Sequence, residues 1–213
     1  MQLVYGVLIP SLLLLSVLSV SFAQEGKEQP APAPAKEYAV LETTLGTFEF
    51  ELYRSDAPRT VENFVKLAER KYFDGILFHR IAKGFVIQSG DPTGSGSGGE
   101  SIYGKMFEDE LNPEAPSYKQ GYVKGAVAMA NKGMPGTNSS QFFVMLEEKS
   151  WMPKNYTIFG RVTKGMDVVE KIGNVEVIPR MGPNDGRPKV DVVLQKLTIR
   201  REALNPPAEK SGE

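Results

Sequence analysis

The segment FHRIAKGFVIQSGD, residues 78–91, contains two apolar runs separated by a lysine and a glycine at 83–84. The two runs predict short strands joined by a tight turn. Because side chains alternate between the two faces of a strand, we expect Arg80 on the face opposite His79, which we interpret as structural. The second strand carries Gln88 toward the first. The segment therefore predicts a sheet surface on which an arginine, a glutamine and apolar side chains lie together.

Apolar runs on both sides of this segment predict a mainly β fold. Around Leu45-Gly46 the sequence predicts a hairpin, and apolar spacing of i, i+3, i+4 and i+7 predicts a helix over 60–72. A second helix is predicted over Asp167–Ile172. Many short strands with two helices favour a closed antiparallel barrel whose open ends the helices cap. The predicted strands are Tyr38–Thr43, Thr47–Leu52, Leu77–Ile81, Phe85–Gln88, Ala126–Ala130, Gln141–Leu146, Tyr156–Val162 and Val190–Arg200.

The composition excludes several kinds of site. The chain has no cysteine and one histidine, which excludes disulfides, thiol catalysis, cysteine-based zinc sites and any mechanism that needs two histidines. A net charge of -1 gives no electrostatic reason to expect nucleic acid or an anionic membrane as a partner. The glycine-serine segment at 94–99 lacks the lysine and the following helix of a phosphate loop, so we interpret it as a mobile loop. The acidic run at 108–110 is interpreted as a solvated turn.

The two ends of the chain differ from the part between them. Residues 7–20 form an uncharged apolar run about as long as the core of a signal peptide, and shorter than a membrane span of about 20 residues. Small residues before position 24 predict a signal peptide over 1–23. No basic residue precedes the apolar run, which departs from the usual signal-peptide pattern. The alternative is an N-terminal anchor that is not cleaved. Proline and alanine then predict a stiff linker over 24–36. A polar tail is predicted over 203–213, which leaves one domain over 37–202.

Five sequence blocks, in order, resemble the cyclophilin family. They are FHRIAKGFVIQSGD, SIYGKMFEDE at 101–110, MANKG at 129–133, NSSQFFV at 138–144, and Trp151 followed by YTIFGRV at 156–162. The resemblance runs from about Tyr38 to Arg200. It implies a closed eight-stranded antiparallel barrel with two helices, and an outer groove that binds Xaa-Pro segments of peptides.

The resemblance also implies roles for individual residues. Arg80 matches the catalytic arginine of the family. The residues that match the proline pocket are Phe85, Val86, Phe143, Met152 and Tyr156. The residues that match the groove for the peptide backbone are Gln88, Gly96, Ala130, Asn131, Lys132 and Gln141. Trp151 matches the tryptophan at the rim, which in the family also contacts cyclosporin.

What this resemblance implies is a peptidyl-prolyl cis-trans isomerase that assists the folding of exported proteins, without a metal or cofactor. The alternative is a binding or holdase module for proline peptides in which catalysis is incidental. Expected partners are proline-containing peptides, unfolded proteins and cyclosporin. A membrane is expected as a partner only if the first segment is retained. The chain is expected to be a monomer. We expect a periplasmic or extracellular location, or a secretory lumen in a eukaryote.

Four positions depart from the better-known family members. Tyr156 replaces a histidine and Val86 a methionine, while Lys132 replaces a small residue and Met152 a leucine. Tyr156 and the Pro-Ala linker favour a bacterial-like, exported member. These changes concern cyclosporin affinity and substrate preference more than catalysis.

Overall fold

A computed structural model of the protein describes residues 36–202. The predicted signal peptide, the tail, and the linker up to residue 35 lie outside this range; Lys36 is already the first residue of a strand. The strands are β1 (Lys36–Thr43), β2 (Gly46–Leu52), β3 (Ile76–Leu77), β4 (Arg80–Ala82), β5 (Val86–Ser89), β6 (Ala126–Met129), β7 (Phe142–Met145), β8 (Ile158–Lys164), β9 (Val177–Gly182), β10 (Asp185–Pro188) and β11 (Val193–Glu202). The helices are α1 (Pro58–Glu69), α2 (Pro116–Gln120) and α3 (Met166–Gly173).

All eleven described strands belong to one antiparallel sheet. Their order is β3-β11-β1-β2-β8-β6-β7-β5-β4-β10-β9. The predicted hairpin is confirmed, since β1 and β2 pair from Thr43↔Gly46 to Glu37↔Leu52. The sheet curls but stays open, because the strands at its two ends, β3 and β9, do not pair with each other in the described part of the chain.

The expectation of a closed eight-stranded barrel is therefore wrong. The predicted strand Leu77–Ile81 is split at 78–79, and its two parts pair with different neighbours. β3 pairs with β11, whereas β4 pairs with β5 and with β10 of a hairpin that we did not predict. Because β10 occupies the free edge of β4, the sheet continues into β9 instead of closing. The count of two helices is also wrong, since α2 adds a third within residues 36–202.

An aromatic core fills the concave side of the sheet. The side of α1 that carries Val61, Phe64 and Val65 is buried, as its spacing predicted. The Phe64 ring lies 5.5 Å from that of Phe142 in an edge-to-face contact and 5.2 Å from that of Phe159. Such pairs stabilise a core by about 0.5–1.5 kcal/mol beyond their buried area. Among the described residues, none of the helices has the length and apolar character needed to cross a membrane.

A smaller apolar cluster lies on the other face of the same strands. Because side chains alternate along β7, Phe142 enters the main core while Phe143 joins the second cluster. The assignment of Phe142 to the core is thus confirmed. The second cluster contains Ala82, Val86, Tyr122, Ala126, Ala128, Phe143, Met145, Met152 and Ile158. It forms the floor of the groove described next.

Candidate active site

Arg80 is held in a fixed orientation at the start of β4. Its Nε donates to Asp185 Oδ1 at 2.9 Å and its Nη2 donates to Asp185 Oδ2 at 2.7 Å, which is a two-point ion pair. The remaining nitrogen, Nη1, donates to Gln88 Oε1 at 3.2 Å. Pairing of Arg80 with Gln88 across β4 and β5 is a direct result of the strand register. The planar guanidinium is therefore fixed by partners on both sides.

A chain of amides continues from Gln88 to the glycine-rich segment. Gln88 Nε2 donates to Gln141 Oε1 at 2.9 Å. Gln141 Nε2 donates to the carbonyl oxygens of Gly96 at 3.1 Å and of Gly98 at 2.8 Å. These amide hydrogen bonds fix Oε1 of Gln88 as the acceptor for Arg80, since Nε2 of Gln88 donates to Gln141.

The glycine-rich segment is anchored by the buried carboxylate of Asp91. Asp91 accepts hydrogen bonds from Thr93 and from the backbone N–H groups of Gly96 and Gly98, at 2.7 and 3.1 Å for the two glycines. Burial raises the pKa of Asp91, but these hydrogen bonds outweigh it and lower the pKa to about 2. We interpreted residues 94–99 as a mobile loop; they are instead tied to Asp91 and Gln141.

An apolar cavity of about 150 Å³ opens beside the Arg80 guanidinium. The Phe143 ring forms one wall and meets Tyr156 edge to face, with 5.5 Å between ring centroids. Trp151, 72% exposed, lies at the rim with its ring centroid 6.2 Å from that of Phe85. The cavity is lined by Arg80, Phe85, Val86, Gln88, Ala130, Asn131, Phe143, Met152 and Tyr156. Its size and the apolar side chains in its lining suit a small saturated ring, next to the polar groups of Arg80, Gln88 and Asn131.

Tyr156 is positioned by a residue that the sequence did not suggest. The Tyr122 hydroxyl donates to the Tyr156 carbonyl oxygen at 3.1 Å and accepts the Tyr156 N–H at 2.9 Å. Burial raises the pKa of Tyr122 to about 12, so the hydroxyl remains a donor across the ordinary pH range. Tyr122 thereby fixes the backbone that carries the Tyr156 ring into the cavity.

The acidic run at 108–110 organises this region and is not simply a solvated turn. Glu110 accepts the N–H groups of Arg59 and Thr60, which are unpaired donors in the first turn of α1. Asp109 accepts Asn138 Nδ2 at 2.9 Å and the Gly136 N–H at 3.0 Å. It also faces Asn131, whose Nδ2 donates to the Asn155 carbonyl oxygen at 3.0 Å. These bonds hold the segment that presents Ala130 and Asn131 to the cavity.

Nine of the thirteen predicted site residues therefore line one cavity, and four do not. Gln141 lies behind Gln88, and Trp151 stands at the rim. Gly96 lines a neighbouring cavity, and Lys132 is exposed with its backbone N–H bound to Thr137. The sequence reasoning missed Asp185, because no local pattern connects it with Arg80 across 105 positions.

His79 is the one histidine of the chain and is 4% exposed. Neither ring nitrogen has a hydrogen-bond partner among the described residues. Burial lowers the pKa of His79, so its imidazole is neutral at neutral pH. His79 does not line the apolar cavity, and it faces the neighbouring one with Gly96.

Comparison with known proteins identifies the family. The model of the family described as "Cyclophilin type peptidyl-prolyl cis-trans isomerase/CLD" matches residues 38–199. The chain belongs to the cyclophilins. It is an enzyme of the peptidyl-prolyl cis-trans isomerase class, and its open, curled sheet with few helices is a cyclophilin fold.

Two curated cyclophilins show how far the similarity extends. "Peptidyl-prolyl cis-trans isomerase-like 1" of Neurospora crassa is 47% identical over 162 residues, which cover 76% of this chain and 93% of the relative. "Peptidyl-prolyl cis-trans isomerase CYP18-2" of Arabidopsis thaliana is 47% identical over 168 residues, covering 79% of this chain and 96% of the relative. Both relatives are eukaryotic, so they lend no support to the expectation of a bacterial-like member.

A solved structure is also similar. The cyclophilin type isomerase of Cryptosporidium parvum, crystallised in the presence of the dipeptide Ala-Pro, is 33% identical with a TM-score of 0.69. The match covers 76% of this chain and 98% of that chain.

Proposed function

We propose that the cavity beside Arg80 accelerates rotation about Xaa-Pro peptide bonds, with Arg80 as the catalytic residue. The observation that carries this proposal is the two-point pairing of Arg80 with Asp185 at the edge of an apolar cavity of about 150 Å³. A proline ring held by Phe143 and Met152 would place its imide nitrogen beside the guanidinium. Proline-containing peptides, including segments of unfolded proteins, are the proposed substrates.

The chemistry requires no bond to be broken. Rotation about the peptide bond must overcome a barrier of about 18–20 kcal/mol, because amide resonance is lost when the bond twists. Uncatalysed exchange of an Xaa-Pro bond takes tens to hundreds of seconds. As the bond twists, the proline nitrogen becomes pyramidal and gains a lone pair. A donor that interacts more strongly with this twisted form than with the planar form lowers the barrier.

Arg80 meets that requirement through its fixed geometry. Asp185 uses Nε and one N–H of Nη2, and Gln88 uses one N–H of Nη1. One N–H on each terminal nitrogen therefore remains available to the substrate. A charge-assisted hydrogen bond that strengthens at the transition state contributes about 1.5–3 kcal/mol. Orientation and removal of water in the apolar cavity supply the remaining acceleration.

The decisive experiment measures cis-trans exchange of a short Xaa-Pro peptide by NMR, with the full chain and with Arg80→Ala. We expect Arg80→Ala to lower kcat/KM at least about tenfold, which corresponds to about 1.4 kcal/mol of lost transition-state stabilisation. Arg161→Ala is the matched control, since Arg161 is exposed on β8 and lines neither cavity near Arg80. Equal rates for wild type and Arg80→Ala would remove Arg80 from the mechanism.

The same experiment separates catalysis from binding alone. Peptide resonances that shift on titration without faster exchange would mean that the groove is a recognition site, and the holdase alternative would then apply.

Export and cyclosporin binding are two further parts of the proposal. The apolar run at 7–20 and Ala23 support cleavage of a signal peptide and action on exported proteins. Mass spectrometry of the secreted or periplasmic fraction is expected to show a chain that starts at Gln24. Ala23→Phe is expected to retain the segment, because the cleavage site requires a small residue. Trp151 at the groove rim supports cyclosporin binding.

A further inference from the structure

A second cavity, of about 310 Å³, is also lined by Arg80. Arg80 and Gln88 line both cavities, so the two are direct neighbours. The remaining walls come from the glycine-rich segment and from the β9–β10 hairpin. The lining residues are His79, Arg80, Gln88, Ser95, Gly96, Ser97, Arg180, Met181, Asp185 and Gly186. A proline ring in the apolar cavity leaves this second cavity unused.

The charges around the second cavity leave one arginine without a partner. Asp185 compensates Arg80, and Asp191 compensates Arg187 on the same hairpin. Arg180 is exposed on β9 and forms no ion pair or side-chain hydrogen bond within residues 36–202. Since Asp185 is the one acidic residue of the lining and is engaged by Arg80, the cavity retains a net positive charge.

The buried imidazole of His79 adds an independent observation. Its two nitrogens lack partners among the described residues, which is unusual for a buried polar group. A neutral imidazole has one N–H donor and one acceptor nitrogen. The ring lies directly beneath Gly96, where a Cβ would come within 3.5 Å of His79 Cδ2. A buried imidazole therefore lies behind the Gly96 wall of the cavity.

We propose that the second cavity binds the carboxylate side chain of a glutamate or aspartate near the proline of the substrate. Arg180 pairs with the carboxylate, and the exposed Met181 side chain contacts its aliphatic part. An extended peptide advances about 3.3–3.6 Å per residue, so a residue within three positions of the proline reaches the neighbouring cavity. This inference rests on the proposed isomerase function and specifies the substrates as acidic Xaa-Pro segments.

The test uses a panel of Xaa-Pro peptides that carry glutamate or its neutral isostere glutamine at each position within three residues of the proline. For each peptide, NMR titration against the full chain gives Kd, and exchange spectroscopy gives the rate of isomerisation. At one position we expect the glutamate peptide to bind about fivefold more tightly than the glutamine peptide at low salt. The difference is expected to shrink as salt increases, because the carboxylate and Arg180 stay partly exposed.

Two variants of the hairpin decide whether Arg180 is responsible. Arg180→Gln is expected to bring the ratio of the two Kd values close to one. Arg187→Gln removes a charge from the same hairpin but outside the cavity lining, and it is expected to retain the ratio. A glutamate preference that persists in Arg180→Gln would overturn the proposal.

Binding and exchange are read separately, so the two proposals can fail independently. Equal Kd values for glutamate and glutamine at every position would overturn the acid-binding cavity, even if exchange is accelerated. A glutamate preference lost in Arg180→Gln, without faster exchange of any peptide, would support the acid-binding cavity and remove the proposed catalysis.

Discussion

The two cavities beside Arg80 share a wall, yet they are lined by different kinds of side chain. The apolar cavity is bounded mainly by Phe143, Met152 and neighbouring apolar groups, whereas the second is bounded by Arg180, His79 and the glycine-rich segment. A ring without hydrogen-bonding groups fits the first, and a charged side chain fits the second. In the function proposed above, one cavity selects proline while the other selects what lies beside it. Arg80 would then be shared because the reacting bond lies between these two parts of the peptide.

The largest effect is expected from Gln141→Leu, which removes the side chain that holds Gln88 in the wall between the cavities. The change leaves the carbonyl oxygens of Gly96 and Gly98, and Nε2 of Gln88, without their partner. These three hydrogen bonds are only partly buried, so we take the low end of the range of about 1–3 kcal/mol for each and expect a loss of roughly 3 kcal/mol in the free energy of unfolding. Because Gln88 also loses its orientation toward Arg80, kcat/KM is expected to fall about tenfold. Urea unfolding and NMR exchange measure the two effects.

Gln120→Leu is the matched control for this change, since Gln120 is exposed at the end of α2. It is expected to alter neither the free energy of unfolding nor the exchange rate appreciably. Normal activity in Gln141→Leu would mean that the amide chain does not support the site.

The next effect concerns the carboxylate that anchors the second cavity. Asp91 has a pKa of about 2 in the folded protein, below the ordinary value of 3.8. A depressed folded pKa contributes stability that is complete above about pH 4 and is lost as the pH falls through 2. We expect this contribution to be about 2 kcal/mol, and Asp91→Asn to lose it at pH 7. Urea unfolding at pH 7, 4 and 2.5 tests this, with the exposed Asp167→Asn as control.

Asp91→Asn should also lack the part of the acid-induced loss that Asp91 causes in the wild type. An identical dependence of stability on pH in wild type and variant would show that Asp91 does not supply it. Weaker binding of acidic peptides, with less change for neutral ones, would place the effect in the second cavity.

The residues of the apolar cavity were predicted from the resemblance to the cyclophilins, whereas most of the second cavity was not predicted. Local alternation supports this prediction where a strand is regular, as on β7, where Phe143 faces the cavity and Phe142 faces the core. The second cavity combines β4, a loop and the distant β9–β10 hairpin, which no periodic pattern connects. Because that hairpin contains polar and glycine residues, its two strands, β9 and β10, were not predicted. Gly186 permits its tight pairing, since a Cβ there would approach the Ile178 carbonyl oxygen to 1.9 Å.

The open sheet was missed for a related reason. Residues 77–81 have the alternation of one continuous strand, and local pattern cannot show that the chain exchanges partners in the middle. The Phe78 N–H bonds to the Val192 carbonyl oxygen, while Arg80 two residues later pairs with β5. Such a change depends on which strands reach each edge, and this is decided by tertiary packing.

Substitutions of Asp185, which lines the second cavity, test whether that cavity holds Arg80 in place for the first. The expected loss of activity is smaller than for Gln141→Leu. Asp185→Ala removes both hydrogen bonds to Nε and Nη2 of Arg80, and kcat/KM is expected to fall about fivefold because the guanidinium loses its fixed plane. Asp185→Asn keeps one acceptor oxygen, so we expect a loss of only about twofold. The fall is expected in kcat more than in KM, since the apolar cavity remains intact. Equal losses in the two variants would indicate that the charge of Asp185, and not its orientation of Arg80, matters.

The smallest effect on kcat/KM is expected from Trp151→Ala. Trp151 lies at the rim of the apolar cavity and does not line the second cavity. Trp151 is largely exposed and contacts Phe85, so its removal should raise KM for a short Xaa-Pro peptide about twofold and leave kcat unchanged. The preference for glutamate over glutamine is expected to remain, because Trp151 does not line the second cavity. If cyclosporin binds as proposed, the drug is large enough to reach the rim and should lose more affinity than the peptide, and Trp151→Phe should restore part of it. Calorimetry with cyclosporin measures this, and unchanged affinity in Trp151→Ala would mean that the rim does not contribute to binding the drug.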